Sequence, residues 1–197
     1  FSRRYPDVEL HITEMKTSSI KAALTNGDID AGILANMEGL DDFLTQTLFY
    51  EQYFVYAAHD TPLSQLPSVK TNDLREVPLW LLDEGHCFRD QLMQFCQLKS
   101  GRRSQRSYHL GSIETFMRMV ENGVGVTFIP ELCTFQLSAE QRTLVRPFAV
   151  PVPTREVVFL TSPDFVRHSI QQILVESIRQ SVPQEMHHLS KVQKHVN

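Results

Sequence analysis

Residues 8–36 set out a strand, a helix and a second strand in that order, and this order restricts the folds open to the chain. "VELHITEMKT" alternates apolar and polar residues from Val8, the period of a half-buried strand. "TSSIKAALTNGD" places Ile20, Ala23 and Leu24 on one helical face, with Thr17 or Ser18 as N-cap and Asn26-Gly27 as the stop. "IDAGILAN" is a short apolar run of the buried-strand type. Strand, helix and strand in sequence predict a parallel βαβ unit and an α/β layered fold.

The same alternation continues. "TLFYEQYFVYAAH" (47–59) is a long aromatic strand, and "VPLWLLD" (77–83) and "RSYHLGS" (106–112) are shorter ones. "SIETFMRMVENG" is a helix with Ser112 as N-cap, apolar Ile113, Phe116, Met117 and Val120, and Gly123 as its end. "VGVTFIP" and "REVVFL" are further strands, and "FVRHSIQQILVESIRQSV" is a closing amphipathic helix. The tail "PQEMHHLSKVQKHVN" is polar and is expected to fray. Chain crossings near 52–58 and 150–157 divide the sequence into two α/β subdomains. Residues 1–52 begin the first, 53–153 form the second, and 154–197 return to the first and end in the tail. Two subdomains joined by paired crossings place a cleft between them.

Composition excludes several classes. A chain of 197 residues with 42% hydrophobic and 21% charged residues is ordinary for a globular protein. The net charge of -4 leaves no basic footprint, so this stretch is not itself expected to bind nucleic acid. No apolar run approaches the roughly 18 residues that span a bilayer, and "FSRRYPDVEL" has no signal-peptide core. Three cysteines are too few for a secreted disulfide framework, which makes a reducing cytoplasm the expected compartment. The absence of an initiating Met, and a Pro6 that disfavours helix at Tyr5, lead us to expect an upstream part.

The chemistry concentrates in "EGHCFRDQLMQFC" (84–96), which holds two of the three cysteines, nine positions apart. Taken alone, the pair is compatible with two buried apolar side chains in a helix. It lacks the close Cys-x₂₋₄-Cys spacing of zinc sites, although His86 and His109 could complete one in principle, and no metal or cofactor is expected. Cys133, after "FIPEL", reads as a small buried apolar residue. "GRRSQRS" (101–107) reads as a solvated basic loop in preference to a phosphate-binding one.

"RYPDVEL", then "LTNGDIDAGIL" (24–34), then "MVENGVGVTFIP" (119–130), in this order and spacing, resemble the landmarks of the regulatory domain of LysR-type transcriptional regulators. The cysteine stretch resembles that of the hydrogen-peroxide-sensing members of that family. The resemblance covers nearly the whole chain. It implies two Rossmann-like α/β subdomains of the periplasmic-binding-protein type. It implies a sensor and not an enzyme, in which peroxide oxidises Cys87 and Cys96 resolves the product as an intramolecular disulfide. Thr17 matches a threonine that helps bind peroxide, and His86 and Arg89 are placed to support the Cys87 thiolate. The helix N-terminus, Arg89 and a protonated His86 would lower the thiol pKa, while Asp83 and Glu84 oppose this. An N-terminal winged helix-turn-helix for DNA binding, dimer or tetramer assembly, contact with RNA polymerase and reset by cellular thiols are implied as well. Two other readings stay open: a regulator that binds a small organic effector in the cleft, and a peroxidase that turns over with a dedicated reductant.

Overall fold

The structure, a computed structural model, describes residues 1–82, 87–97 and 112–196, without the side chains of Glu76 and Cys87. The strand read at 106–112 (Ser112 excepted), the basic loop 101–107, His109 and the run from Asp83 to His86 lie outside the described residues. The chain divides into two compact units. The first comprises Phe1–Tyr50 and Glu156–His188, and the second Glu51–Arg155 and Leu189–Asn197.

In the first unit, helix α1 (Thr17–Asn26) is followed by strand β1 (Gly32–Ala35). Gly27 ends α1 at φ 76°, where its N–H returns to the carbonyls of Ala23 and Leu24. A left-handed C-cap of this kind suits glycine, which has no Cβ to clash. Strand β1 pairs antiparallel with the later strand β5 (Val152–Thr161), from Gly32 opposite Leu160 to Ala35 opposite Val157. Leu24, Leu34, Leu40, Val158 and Leu160 form this unit's buried cluster. The parallel βαβ unit expected over 8–36 is not what forms. Residues 9–16 belong to no strand, and Leu10 and Ile12 are exposed. Alternation specifies an extended two-faced segment, but the ladder partner is a long-range matter that local pattern does not encode. Neither Thr17 nor Ser18 caps α1. Lys16 holds the N-cap position without a side-chain bond, and Thr17 is the first helical residue.

Strand β2 (Leu44–Ala57) runs from the first unit into the second, and strand β5 (Val152–Thr161) runs back. Within the second unit β2 pairs antiparallel with β3 (Val126–Pro130) and with β4 (Val145–Pro147). Its burial alternates from Glu51 to Val55, so Glu51, Tyr53 and Val55 share the inner face. Helix α2 (Cys87–Phe95) and helix α3 (Ile113–Glu121) follow, and Phe116, Met117 and Val120 are the buried face of α3. Short helices α4 (Glu131–Thr134) and α5 (Ala139–Arg142) connect β3 to β4, and Ser138 caps α5 through the Gln141 N–H. Helix α6 (His168–Gln180) closes the first unit. Among the described residues of the 77–83 run only Leu79 bridges β3, at Val126, with Trp80 N–H donating to the Val126 carbonyl and Val126 N–H to that of Pro78.

The tail does not fray. A short 3₁₀ turn (Gln184–His187) leads into strand β6 (Gln193–His195), which pairs parallel with Val152–Thr154 of β5. Its polar composition hid two buried residues, Met186 and Val196, and Val196 joins the core of the second unit.

Gly125 lets the segment before α2 lie against β3. It adopts φ 70°, and a Cβ there would sit 2.7 Å from the Pro78 carbonyl and 2.9 Å from Trp80 Nε1. Strained backbone and steric overlap act together, so Gly125→Ala is expected to cost about 2 kcal/mol or more. Urea unfolding checks this, and Gly123→Ala is the comparison, since Gly123 shares the positive φ but has open space around its Cβ position.

Candidate functional site

Helix α2 carries the candidate chemistry at its two ends. Cys87 is its first residue, and Cys96 follows its last. Phe88, Leu92 and Cys96 recur every four residues, so they lie on one face of the helix. All three are buried, with Leu92 and Cys96 essentially without solvent contact. The helical bonding continues through Cys96, whose N–H donates to the Leu92 carbonyl at 2.9 Å. Gln97 then takes a positive φ of 50° and ends the run. Nine residues of helix rise about 13.5 Å. A disulfide tolerates Cα separations up to about 7 Å. The helical form of this segment therefore holds Cys87 and Cys96 beyond bonding reach, and Cys96 carries a free thiol.

Helix α2 is fastened to β2 and β5 by an aromatic and polar cluster that sequence reading did not identify. Tyr53 donates its hydroxyl to Gln91 at 2.9 Å, and Gln91 is itself buried. The Tyr53 and Phe88 rings meet edge to face, 5.0 Å apart. The Arg155 guanidinium lies over both rings, 5.8 Å from Tyr53 and 5.7 Å from Phe88. Arg155 is in turn held by Glu51, whose Oε2 accepts from Nε at 2.8 Å and from a terminal nitrogen at 2.6 Å. The other carboxylate oxygen accepts the Leu132 N–H of α4 at 2.9 Å. The signal for this cluster was a lone carboxylate on the inner face of an aromatic strand. Such a group is paired when buried.

Burial governs the second thiol. Desolvation pushes Cys96 up to about 12 from an ordinary 9.0. The unfolded chain therefore loses this proton near pH 9 while the folded protein keeps it, so the unfolded state binds fewer protons and stability falls with pH. The fall should approach about 1.4 kcal/mol per pH unit between pH 9 and 12, and should be absent below pH 9. Urea unfolding at pH 8 and pH 10 measures it. Cys96→Ala is expected to remove the Cys96 share of the drop and leave the share of Cys133, whose thiol burial also raises. Cys133, half-buried in α4, is also raised, by burial first and then by the Glu51 charge.

The other sequence-predicted residues are placed as follows. Arg89 lies in α2, with its guanidinium 3.4 Å from the Asp90 carboxylate. Thr17 belongs to the first unit, where it opens α1 half-buried. His86 lies outside the described residues. Among the described residues no His, Cys, Asp and Glu group could hold a metal, and no helix is long and apolar enough to cross a membrane.

Residues 1–183 match the family described as "LysR substrate binding domain". The "Hydrogen peroxide-inducible genes activator" of Dickeya chrysanthemi is 29% identical over 188 residues, 95% of this chain and 61% of that protein. The "DNA-binding transcriptional dual regulator OxyR" of Escherichia coli (strain K12) is 30% identical over 89% of this chain and 57% of that protein. The chain thus spans about three-fifths of the length of such relatives. The crystal structure of OxyR from Porphyromonas gingivalis superposes with a TM-score of 0.91 at 40% identity, covering 100% of this chain and 89% of that one.

Proposed function

The chain belongs to the family of LysR substrate binding domains, and from that premise we propose that it is the peroxide-sensing regulatory domain of a transcription factor. One observation carries the reading: two cysteines stand at opposite ends of a single helix, too far apart to bond while it stays helical. A structural staple needs the opposite arrangement. A switch needs this one.

The chemistry balances with the two thiols and one hydrogen peroxide. The Cys87 thiolate attacks one peroxide oxygen, an S–O bond forms, the O–O bond breaks, and hydroxide leaves and takes up a proton. Cys96 then ionises, its sulfur attacks that of Cys87, the S–O bond breaks, and the oxygen departs as water. Peroxide takes two electrons, and the dithiol becomes a disulfide. Cys87 suits the first step because it opens α2, where the helix dipole favours a thiolate. Arg89 and His86 support that charge. Cys96 suits the second step because burial keeps it protonated until the helix opens. Bond formation must then unwind α2 and repack Phe88, Leu92, Met93 and Phe95, a change of the kind that propagates to subunit interfaces. A cellular dithiol or glutathione pool reduces the bridge and resets it.

In the full protein this domain follows an N-terminal winged helix-turn-helix that binds DNA. The assembly is a homodimer or homotetramer in the cytoplasm, and the oxidised form activates transcription through RNA polymerase. It is a stoichiometric sensor and not an enzyme. Thr17 orients the peroxide, so Thr17→Val should slow oxidation of Cys87 about tenfold while leaving its alkylation rate at fixed pH unchanged, since the hydroxyl acts on the oxidant. Parallel loss of both rates would assign Thr17 to packing.

An intact-mass and disulfide map of the full-length protein before and after one equivalent of peroxide tests the proposal. It should show loss of two hydrogens and a Cys87–Cys96 bridge. Retention of both thiols, or a bridge through Cys133, would overturn it.

A further inference from the structure

The described tail packs into the core cluster that holds Cys96. Strand β6 lies along β5 with Val152 opposite Gln193 and Thr154 opposite His195. Two backbone bonds clamp it at either end: Val152 N–H to the Val192 carbonyl and Val196 N–H to the Thr154 carbonyl, each 2.9 Å. The turn before it is closed by Ser190 N–H donating to the Gln193 side-chain oxygen at 2.7 Å. Val196 is 6% exposed and belongs to the same buried cluster as Phe88, Leu92 and Cys96. The Lys194 ammonium stands over the ring of Phe95, the residue before Cys96, at 5.9 Å. Phe95 continues edge to face into Phe148 at 6.2 Å.

A three-residue ladder is among the smallest a strand can form, and its side chains are mostly polar. Its seating therefore depends on Val196 and on the Lys194 contact more than on the ladder itself. Both rest on groups that helix α2 or its core neighbours supply. Packing of α2 and seating of β6 thus stabilise one another, and the coupling is reciprocal.

We propose that strand β6 is a strap that seals Cys96, so that lifting the strap exposes this thiol and opening the helix lifts the strap. The strap is a positioning element for the resolving cysteine. Its part in peroxide chemistry rests on the sensing reading, but its hold on Cys96 does not.

The test uses reduced full-length protein and a neutral alkylating reagent, with each cysteine followed separately by peptide mass. Val196→Asp and the milder Val196→Ala are the variants. Burial of one valine side chain corresponds to more than a factor of ten in local opening, so Cys96 labelling should accelerate about tenfold in the first variant and less in the second. Cys133 labelling should stay within about twofold, because local opening leaves the rest of the unit folded. Unchanged labelling of Cys96 would overturn the strap, and so would an equal rise at Cys96 and Cys133, which signals general loosening. After peroxide, the variants should also convert the Cys87 sulfenic acid to disulfide faster, with its formation rate unaltered. If wild-type protein forms no Cys87–Cys96 bridge, the sensing reading fails while the labelling ratio still decides the strap.

Discussion

Cys87→Ser is expected to abolish the fast reaction with hydrogen peroxide, a loss of several orders of magnitude. A serine hydroxyl has no anionic form near neutral pH, whereas a thiol at a helix N-terminus ionises readily. Cys96→Ser should keep the first step at close to its full rate and then stall, accumulating sulfenic acid at Cys87 that a dimedone-type reagent captures. The asymmetry follows from the structure: one cysteine opens the helix, while the other is sealed in the core with its thiol held protonated. Cys133→Ser should leave both steps intact. Stopped-flow oxidation followed by quenched mass analysis separates these outcomes. Equal loss of rate in the two helix variants would contradict the assigned roles.

The second large effect concerns the ion pair behind the helix. Glu51 is 1% exposed, and among the described residues the Arg155 guanidinium supplies two of the three donors to its carboxylate. Arg155→Met leaves a buried carboxylate with the Leu132 N–H but no countercharge, and should destabilise the protein by about 3–5 kcal/mol. The paired change Glu51→Leu with Arg155→Met removes both charges and should cost much less, because a buried ion pair gives up in desolvation most of what it gains in attraction. A double-mutant cycle by urea unfolding measures the difference as a coupling of several kcal/mol. Near-additive losses would mean that the two charges act separately. Arg155→Met should also loosen α2, since the same guanidinium lies over Phe88. Faster hydrogen exchange at the Cys96 amide, which bonds the Leu92 carbonyl, would report it.

Helix caps show the limit of local pattern: the cap read at Thr17 fails, and the one at Ser138 was not read. Ser138 caps α5 through the Gln141 N–H, a reciprocal box written in four adjacent residues. Thr17 looked equally suited, yet the chain enters α1 one residue earlier, at Lys16. Gly27 and Asn122-Gly123 end their helices where the pattern placed them, because a left-handed turn is a property of the residue itself. The long strand read at 47–59 is strand β2, since aromatic and β-branched residues favour a half-buried pleat wherever it lies. Its partners were not legible, and neither was the failure of residues 9–16 to join a ladder.

The candidate site divides in the same way. The cysteine spacing, the helical period that puts Phe88, Leu92 and Cys96 on one face, and the arithmetic that keeps the two cysteines apart are all consequences of local sequence. They follow from bond geometry and a rise of about 1.5 Å per residue, which no tertiary contact alters much. Tertiary structure alone decided that Arg155 and Glu51 meet across 104 positions to hold the helix. It alone decided that a polar tail returns along β5 and seats Val196 in the core cluster that also holds Cys96. Both depend on contacts between distant segments, whose free energy comes from burial and charge pairing that exist only once the chain has closed on itself.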